Sequence, residues 1–314
     1  MYYRIALSGR RGERDIDTET NQGYSLVYKR LMRTLDICSH ENHERSKTAI
    51  MGVLNVTPDS FYDGGRFFNV DLAVMHGLEL IDAGADILDI GGESTRPGSI
   101  PIDAKEEIDR VIPVIKILGE ITDIPISIDT YKSEVAETAI KYGATMINDI
   151  SALRFDEDMG DIAAEYDLPI SLMHMQGIPR DMQVNPQYRD IMQEIIYFFK
   201  ERMDFAIEKG ISEDKIIIDP GIGFGKRTGD GIEDNCTILK RLRELKSLNK
   251  PILVGTSRKT FISNICNESS PEDRLIGSLA TVAIAVANGA DIVRVHDVRE
   301  TKDVVDVVSN ICRR

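Results

Sequence analysis

The chain has 314 residues but no tryptophan, five histidines and only four cysteines. Cys38, Cys236, Cys266 and Cys312 are widely spaced and form no CxxC pair. That spacing gives no support to a zinc site or a dithiol redox motif, and four free thiols are expected. No apolar run approaches the roughly 20 residues that cross a bilayer, and the amino terminus carries no apolar secretion core. A soluble, cytoplasmic protein without a membrane partner is therefore predicted. Positive charge is also scarce, with 38 Lys and Arg against 52 Asp and Glu and a net charge of -14. Nucleic acid and anionic lipid need clustered cations, so neither is an expected partner. An anionic substrate would have to rely on a local basic cluster.

What the chain does have is repetition. Short aliphatic runs at 49–55, 87–91, 126–129, 146–148, 170–174, 216–219, 252–255 and 292–296 each close on a polar residue or a glycine, with helical stretches between them. A strand buried on both faces is apolar almost throughout, and consecutive parallel strands need a crossover helix. The alternation predicts an α/β fold, a (β/α)8 TIM barrel with an N-terminal extension. In such a barrel the active site forms at the carboxyl ends of the strands, where Asn55, Asp129, Asn148, His174, Asp219 and His296 fall.

Helix punctuation agrees. Gly84, Gly143, Gly210 and Gly289 each follow an amphipathic stretch and precede an aliphatic run, the place where a left-handed residue ends a helix. Asp103 with Glu106 marks a helix start. Residues 1–46 are polar, with no sustained period, and are expected to be a partly disordered extension, with 34–37 as a short strand that plugs the amino-terminal mouth. Residues 47–314 would form the catalytic barrel. Two strand-to-helix connections, 56–70 and 92–102, are long and rich in Gly, Pro, Ser and Asp, as binding loops and lids often are. The acidic stretch 226–234 reads as a solvated flap.

Asp129 and Asp219 end two strands with Asn148 between them. Carboxylates facing a barrel mouth can accept hydrogen bonds from a flat heterocycle, each charged bond being worth roughly 1.5 to 3 kcal/mol. A single strand-end Asp can equally be a structural cap. Arg96, Arg258, Lys259, Arg294 and His296 lie at or just beyond strand ends and form a candidate pyrophosphate or carboxylate pocket, with surface salt bridges as the plainer alternative. Asn55 is a neutral oxygen ligand suited to Mg2+, an ion that completes its shell with phosphate and water. His174, between Met173 and Met175, fits a core position better than a catalytic one. DPGIGFGK (219–226) lets the backbone approach a ligand closely, yet it is neither a P-loop nor a GxGxxG fingerprint.

Taken in order, NVTPDSFYDGG (55–65), GGESTRPGS (91–99), SIDT (127–130), INDI (147–150), LMHMQG (172–177), DPGIGFGK, TSRK (256–259) and RVHDV (294–298) closely resemble the dihydropteroate synthase family over about 50–305. The resemblance implies an enzyme of folate synthesis that joins 4-aminobenzoate to 6-hydroxymethyl-7,8-dihydropterin diphosphate, with diphosphate as leaving group. It implies that Asp129, Asn148, Asp219 and Lys259 hold the pterin. Asn55 would ligate Mg2+ on the diphosphate, and Thr95, Arg294 and His296 would bind that leaving group. Asp63 and Arg96 would close a lid and, with Lys259, serve catalysis. Phe61, Pro97 and Phe224 would flank the aminobenzoate ring, and Thr260, where many relatives have Ser, would meet its carboxylate. A homodimer is implied as well. The long amino-terminal segment and the acidic insertion after Lys226 depart from the family pattern.

The chemistry is consistent with these residues. Loss of a Mg-bound diphosphate leaves a carbocation-like centre that nearby carboxylates stabilise, and an arylamine already nucleophilic at neutral pH needs positioning more than a strong base. A pterin-binding methyltransferase domain acting on methyltetrahydrofolate is the alternative from another reaction class. It shares the barrel and the acids but gives no use for the cation cluster. A catalytically silent pterin-binding protein is a third reading, which the complete motifs disfavour.

Overall fold

The structure, a computed structural model, describes residues 18–38, 47–57, 70–96, 98–229, 232–266, 270 and 272–312. Eight parallel strands alternate with helices as expected: β1 (Ala49–Asn55), β2 (Ile87–Gly91), β3 (Ile126–Asp129), β4 (Met146–Asp149), β5 (Ile170–Met173), β6 (Ile216–Asp219), β7 (Leu253–Val254) and β8 (Ile292–Val295). Sheet order runs β6-β5-β4-β3-β2-β1-β8-β7, and a single parallel bridge between Ile218 and Ile252 joins β6 to the β7 segment. The barrel is thus closed through its thinnest seam.

Among the described residues the α-helices are α1 (Thr18–Cys38), α2 (Val70–Asp82), α3 (Ala104–Ile121), α4 (Ser133–Lys141), α5 (Met159–Tyr166), α6 (Ile191–Glu208), α7 (Asp234–Arg241), α8 (Thr260–Cys266), α9 (Leu275–Ala287) and α10 (Val298–Cys312). Asp103 caps α3 by accepting from the Glu106 amide at 2.7 Å. Gly84, Gly143, Gly210 and Gly289 all take positive φ, which is how each following strand is entered. Two strands are shorter than expected where side chains take backbone amides. The Ile252 amide donates to Asp291 Oδ2 (2.9 Å), which trims β7, and the His296 amide donates to Ser257 Oγ (3.2 Å), which trims β8. The 226–234 stretch contains a two-residue antiparallel hairpin, Thr228–Gly229 with Ile232–Glu233.

Within the amino-terminal segment the strand expected at 34–37 is absent, while residues 1–17 and 39–46 lie outside the described residues. Residues 34–37 are not a strand but the last turns of α1. Val27, Leu31, Leu35 and Cys38 recur at helical spacing, and the period is obscured because Arg30 and Thr34 occupy buried positions on the same helix. The Arg30 guanidinium donates to the carbonyls of Gly143 (2.7 Å), Gly119 (2.5 Å) and Thr122 (3.1 Å), where α3 and α4 end. Thr34 meets Thr145 through their hydroxyls at 2.7 Å. Ile37 and Cys38 pack with Ala49, Met51, Ile87, Met146, Ile217, Leu253 and Ile292, the starts of the strands. A helix end therefore sits against the barrel floor, opposite the strand ends that carry the polar set.

Candidate active site

At the strand ends the polar residues converge. Arg294 on β8 donates from Nε to Asp89 Oδ2 and from Nη2 to Asp129 Oδ2, both at 2.6 Å. Asn148 Nδ2 donates to the same Asp89 oxygen at 3.1 Å. Asp129 and Asn148 are register partners on β3 and β4, and Met173 and Asp219 on β5 and β6. Asp219 accepts from the Gly221 amide at 2.8 Å. Lys259 reaches the set from beyond β7: its ammonium bonds to the Ile222 carbonyl and lies 4.6 Å from the centre of the Phe224 ring.

The electrostatics follow from crowding charges where water is scarce. Burial raises the Asp129 carboxyl above its ordinary range, while Arg294 pulls it down and Asp89 pushes it up. Burial raises Asp219 too, offset by Lys259. Lys259 is lowered to about 8, first by burial, with Asp219 opposing. His296 is lowered to about 4 by burial and then by Arg294, so the ring is neutral at neutral pH. Its Nδ1 lies 3.0 Å from Ser257 Oγ. Where that hydroxyl donates to Nδ1, Nε2 carries the ring proton and can donate to an anion. Asp129 Oδ1 and Asp89 Oδ1 are buried without a hydrogen-bond partner among the described residues. Unpaired buried acceptors of this kind call for a ligand's donors or water.

Not every expected residue is joined to this set. Asn55 ends β1 beside Gly91, which in turn lies against Asp129. Arg96 is exposed but close enough for its charge to act on His296. Thr95 is half-buried and Thr260 is exposed, and no described contact ties either to the cluster. Arg258 is engaged by Asp297 through Nε (3.0 Å) and Nη2 (2.5 Å) rather than offered to a ligand as a bare cation. Asp63, Phe61 and Pro97 lie outside the described residues. Among the described residues no group of three or more His, Cys, Asp and Glu could hold a metal by itself. A Mg2+ on Asn55 would therefore need other ligands, as an ion arriving on a diphosphate has.

Two features went unread in the sequence. Asp89 is fully buried inside β2 and braces both Arg294 and Asn148; the signal was an acid in the middle of a continuous apolar strand. The second is the role of the glycines in 219–226. A Cβ on Gly221, at φ +67, would stand 1.9 Å from the His174 carbonyl, and one on Gly225, at φ +58, 2.5 Å from that of Gln176. Gly221 and Gly225 thus serve close backbone packing between the segments after β5 and β6, while Gly223 lies against the Lys259 side chain. A separate cavity of about 670 Å3 against α6 is lined by Arg154, His174, Gln176, Tyr188, Tyr197 and Phe198 among others. It includes none of the acids at the strand ends, so it is not the place where the expected chemistry collects.

Comparison with known proteins gives one family. The family described as pterin binding enzyme matches residues 51–296. A dihydropteroate synthase of Clostridium beijerinckii is 46% identical over 281 residues, covering 89% of this chain and 100% of the relative. The crystal structure of a dihydropteroate synthase from Clostridium difficile in the presence of pteroic acid superimposes with a TM-score of 0.79 at 48% identity, covering 85% of this chain and 98% of that one. A Xanthomonas albilineans dihydropteroate synthase with 4-aminobenzoic acid gives 0.78 at 44% identity, covering 84% and 93%.

Proposed function

The chain belongs to the pterin-binding enzymes, among the dihydropteroate synthases, and from that premise we propose that the strand-end cluster is its catalytic pocket. The reaction is the condensation of 6-hydroxymethyl-7,8-dihydropterin diphosphate with 4-aminobenzoate to 7,8-dihydropteroate and diphosphate. One observation carries the assignment: Asp129, Asn148 and Asp219 gather from three strands at one rim, with an Asp129 oxygen buried and without a partner among the described residues, beside the cations Lys259 and Arg294. The carboxylates and the amide match a flat ring bearing N–H donors, and Lys259 caps it. The N–H groups of Arg294 that no described residue takes, together with neutral His296 and Thr95, suit the departing diphosphate.

Bond breaking at the CH2 leaves positive character next to the pterin, which the buried carboxylates oppose electrostatically. The arylamine then attacks, positioned by Phe224 on one side, with Thr260 assigned to its carboxylate. Arg96 and, outside the described residues, Asp63 are assigned to closing over the reactants. Asn55 would hold Mg2+, which when bound offsets charge on the leaving group. The free cysteines fit action in the cytoplasm, and among the described residues no helix is long and apolar enough to cross a membrane. Ile276 on α9 and Val307 and Ile311 on α10 are exposed apolar residues on neighbouring helices, which supports a homodimer through the outer layer. The methyltransferase reading is not favoured, since the matched relatives are synthases and one-carbon transfer leaves the cation set without a use.

Purified protein supplied with both substrates and Mg2+ is expected to release diphosphate; no release would overturn the reading. Lys259→Ala and Asp219→Ala are each expected to abolish binding of the pterin diphosphate while circular dichroism stays unchanged. Full binding by either variant would require new residue roles.

A further inference from the structure

The loop after β6 is held from all sides. Each carbonyl from residue 221 to 225 accepts a hydrogen bond from a side chain. Lys226 Nζ donates to the oxygens of Gly221 (2.9 Å) and Phe224 (2.8 Å). Lys259 takes that of Ile222, Gln183 that of Gly223 (2.6 Å) and Tyr188 that of Gly225 (2.5 Å). Lys226 also reaches His174, at Nδ1 (3.0 Å) and at the carbonyl (3.3 Å). That is more acceptors than an ammonium has protons, so one bond is shared.

Lys226 is 1% exposed and forms no salt bridge among the described residues. Burial pushes its ammonium down to about 7. The partner His174 is itself buried and held well below the usual histidine range, first by burial and then by Lys226, so its ring is a neutral acceptor. A buried cation without a bonded carboxylate is costly, and an apolar side chain of similar length would avoid that cost. What the lysine supplies is geometry: it ties the two ends of the loop whose middle presents the Ile222 carbonyl and the Phe224 ring to Lys259.

We propose that Lys226, seated on His174, is a positioning residue for the reaction, fixing residues 221–225 so that Phe224 and Lys259 stand in register with the two substrates. The inference rests on the assignment of Phe224 and Lys259 to the pocket. Lys226→Met, which fills the same space without the donor, is expected to raise the KM for 4-aminobenzoate about tenfold or more, with a smaller rise for the pterin diphosphate. It should also displace the alkaline limb of the pH–rate profile that Lys259 sets. Loss of folded protein alone would move neither KM nor that limb. His174→Leu removes the acceptor and is expected to act in the same direction, whereas His174→Asn, which keeps an acceptor near the Nδ1 position, is expected to raise KM less. Folded Lys226→Met with both KM values and the limb unchanged overturns the proposal. Should that variant not fold, equal KM values for His174→Leu and His174→Asn overturn it instead. Wild-type enzyme that released no diphosphate would remove the underlying assignment, an outcome separate from active wild type with indifferent variants.

Discussion

Beside Lys226, whose ammonium is brought by burial to about 7, Lys259 is a residue on which the pH behaviour turns. Burial brings its ammonium down to about 8, and Asp219 keeps it from falling further. It is charged below that value and neutral above it, so kcat/KM for the pterin diphosphate is expected to decline as pH rises through about 8. On the acid side Asp129 and Asp219, both raised by burial, take up protons above the ordinary carboxylate range and cease to be full acceptors. A bell-shaped profile in steady-state assays checks both limbs; a flat alkaline side would count against the Lys259 role. The strand-end acids and His296 were legible in the sequence because each closes an aliphatic run, whereas Arg294 stands inside β8 and was legible through the RVHDV motif. Asp89 was not, since within a strand the chain alone does not say which neighbour a buried carboxylate will find. Nor was the engagement of Arg258 by Asp297, which depends on how the segment after β7 turns toward β8.

Among the elements, α1 offers the cleanest separation of stability from catalysis. Arg30→Ala would leave the carbonyls of Gly119, Thr122 and Gly143 without their donor inside the fold, at a cost of about 1 to 3 kcal/mol for each group that water cannot reach. A lower Tm with unchanged kcat/KM is the expected result, and thermal melts beside kinetics test it. The strands and their connecting helices were readable because each is a repeated pattern bounded by capping residues. Residues 34–37 are helix rather than the expected strand, and the helical stripe was not legible because Arg30 and Thr34 interrupt it: their burial is satisfied by carbonyls and a hydroxyl about 90 or more positions away in sequence, information that no local period contains.

At the scale of the whole molecule, floor and rim divide the work. The rim gathers cations in a protein of net charge -14, so attraction of a diphosphate is local and short in range. The floor is apolar and sealed by the end of α1, and there Cys38 is 1% exposed while Cys266 and Cys312 face solvent. The protein thereby carries its own chemical clock. A colorimetric disulfide reagent should modify the two outer sulfurs at once, half-buried Cys236 more slowly, and reach Cys38 only in the moments when the helix lifts, so the slowest phase, lost in a Cys38→Ala variant, measures how often the base of the barrel comes open. If every sulfur were labelled together in native buffer, the lower seal would have to be far looser than its contacts imply.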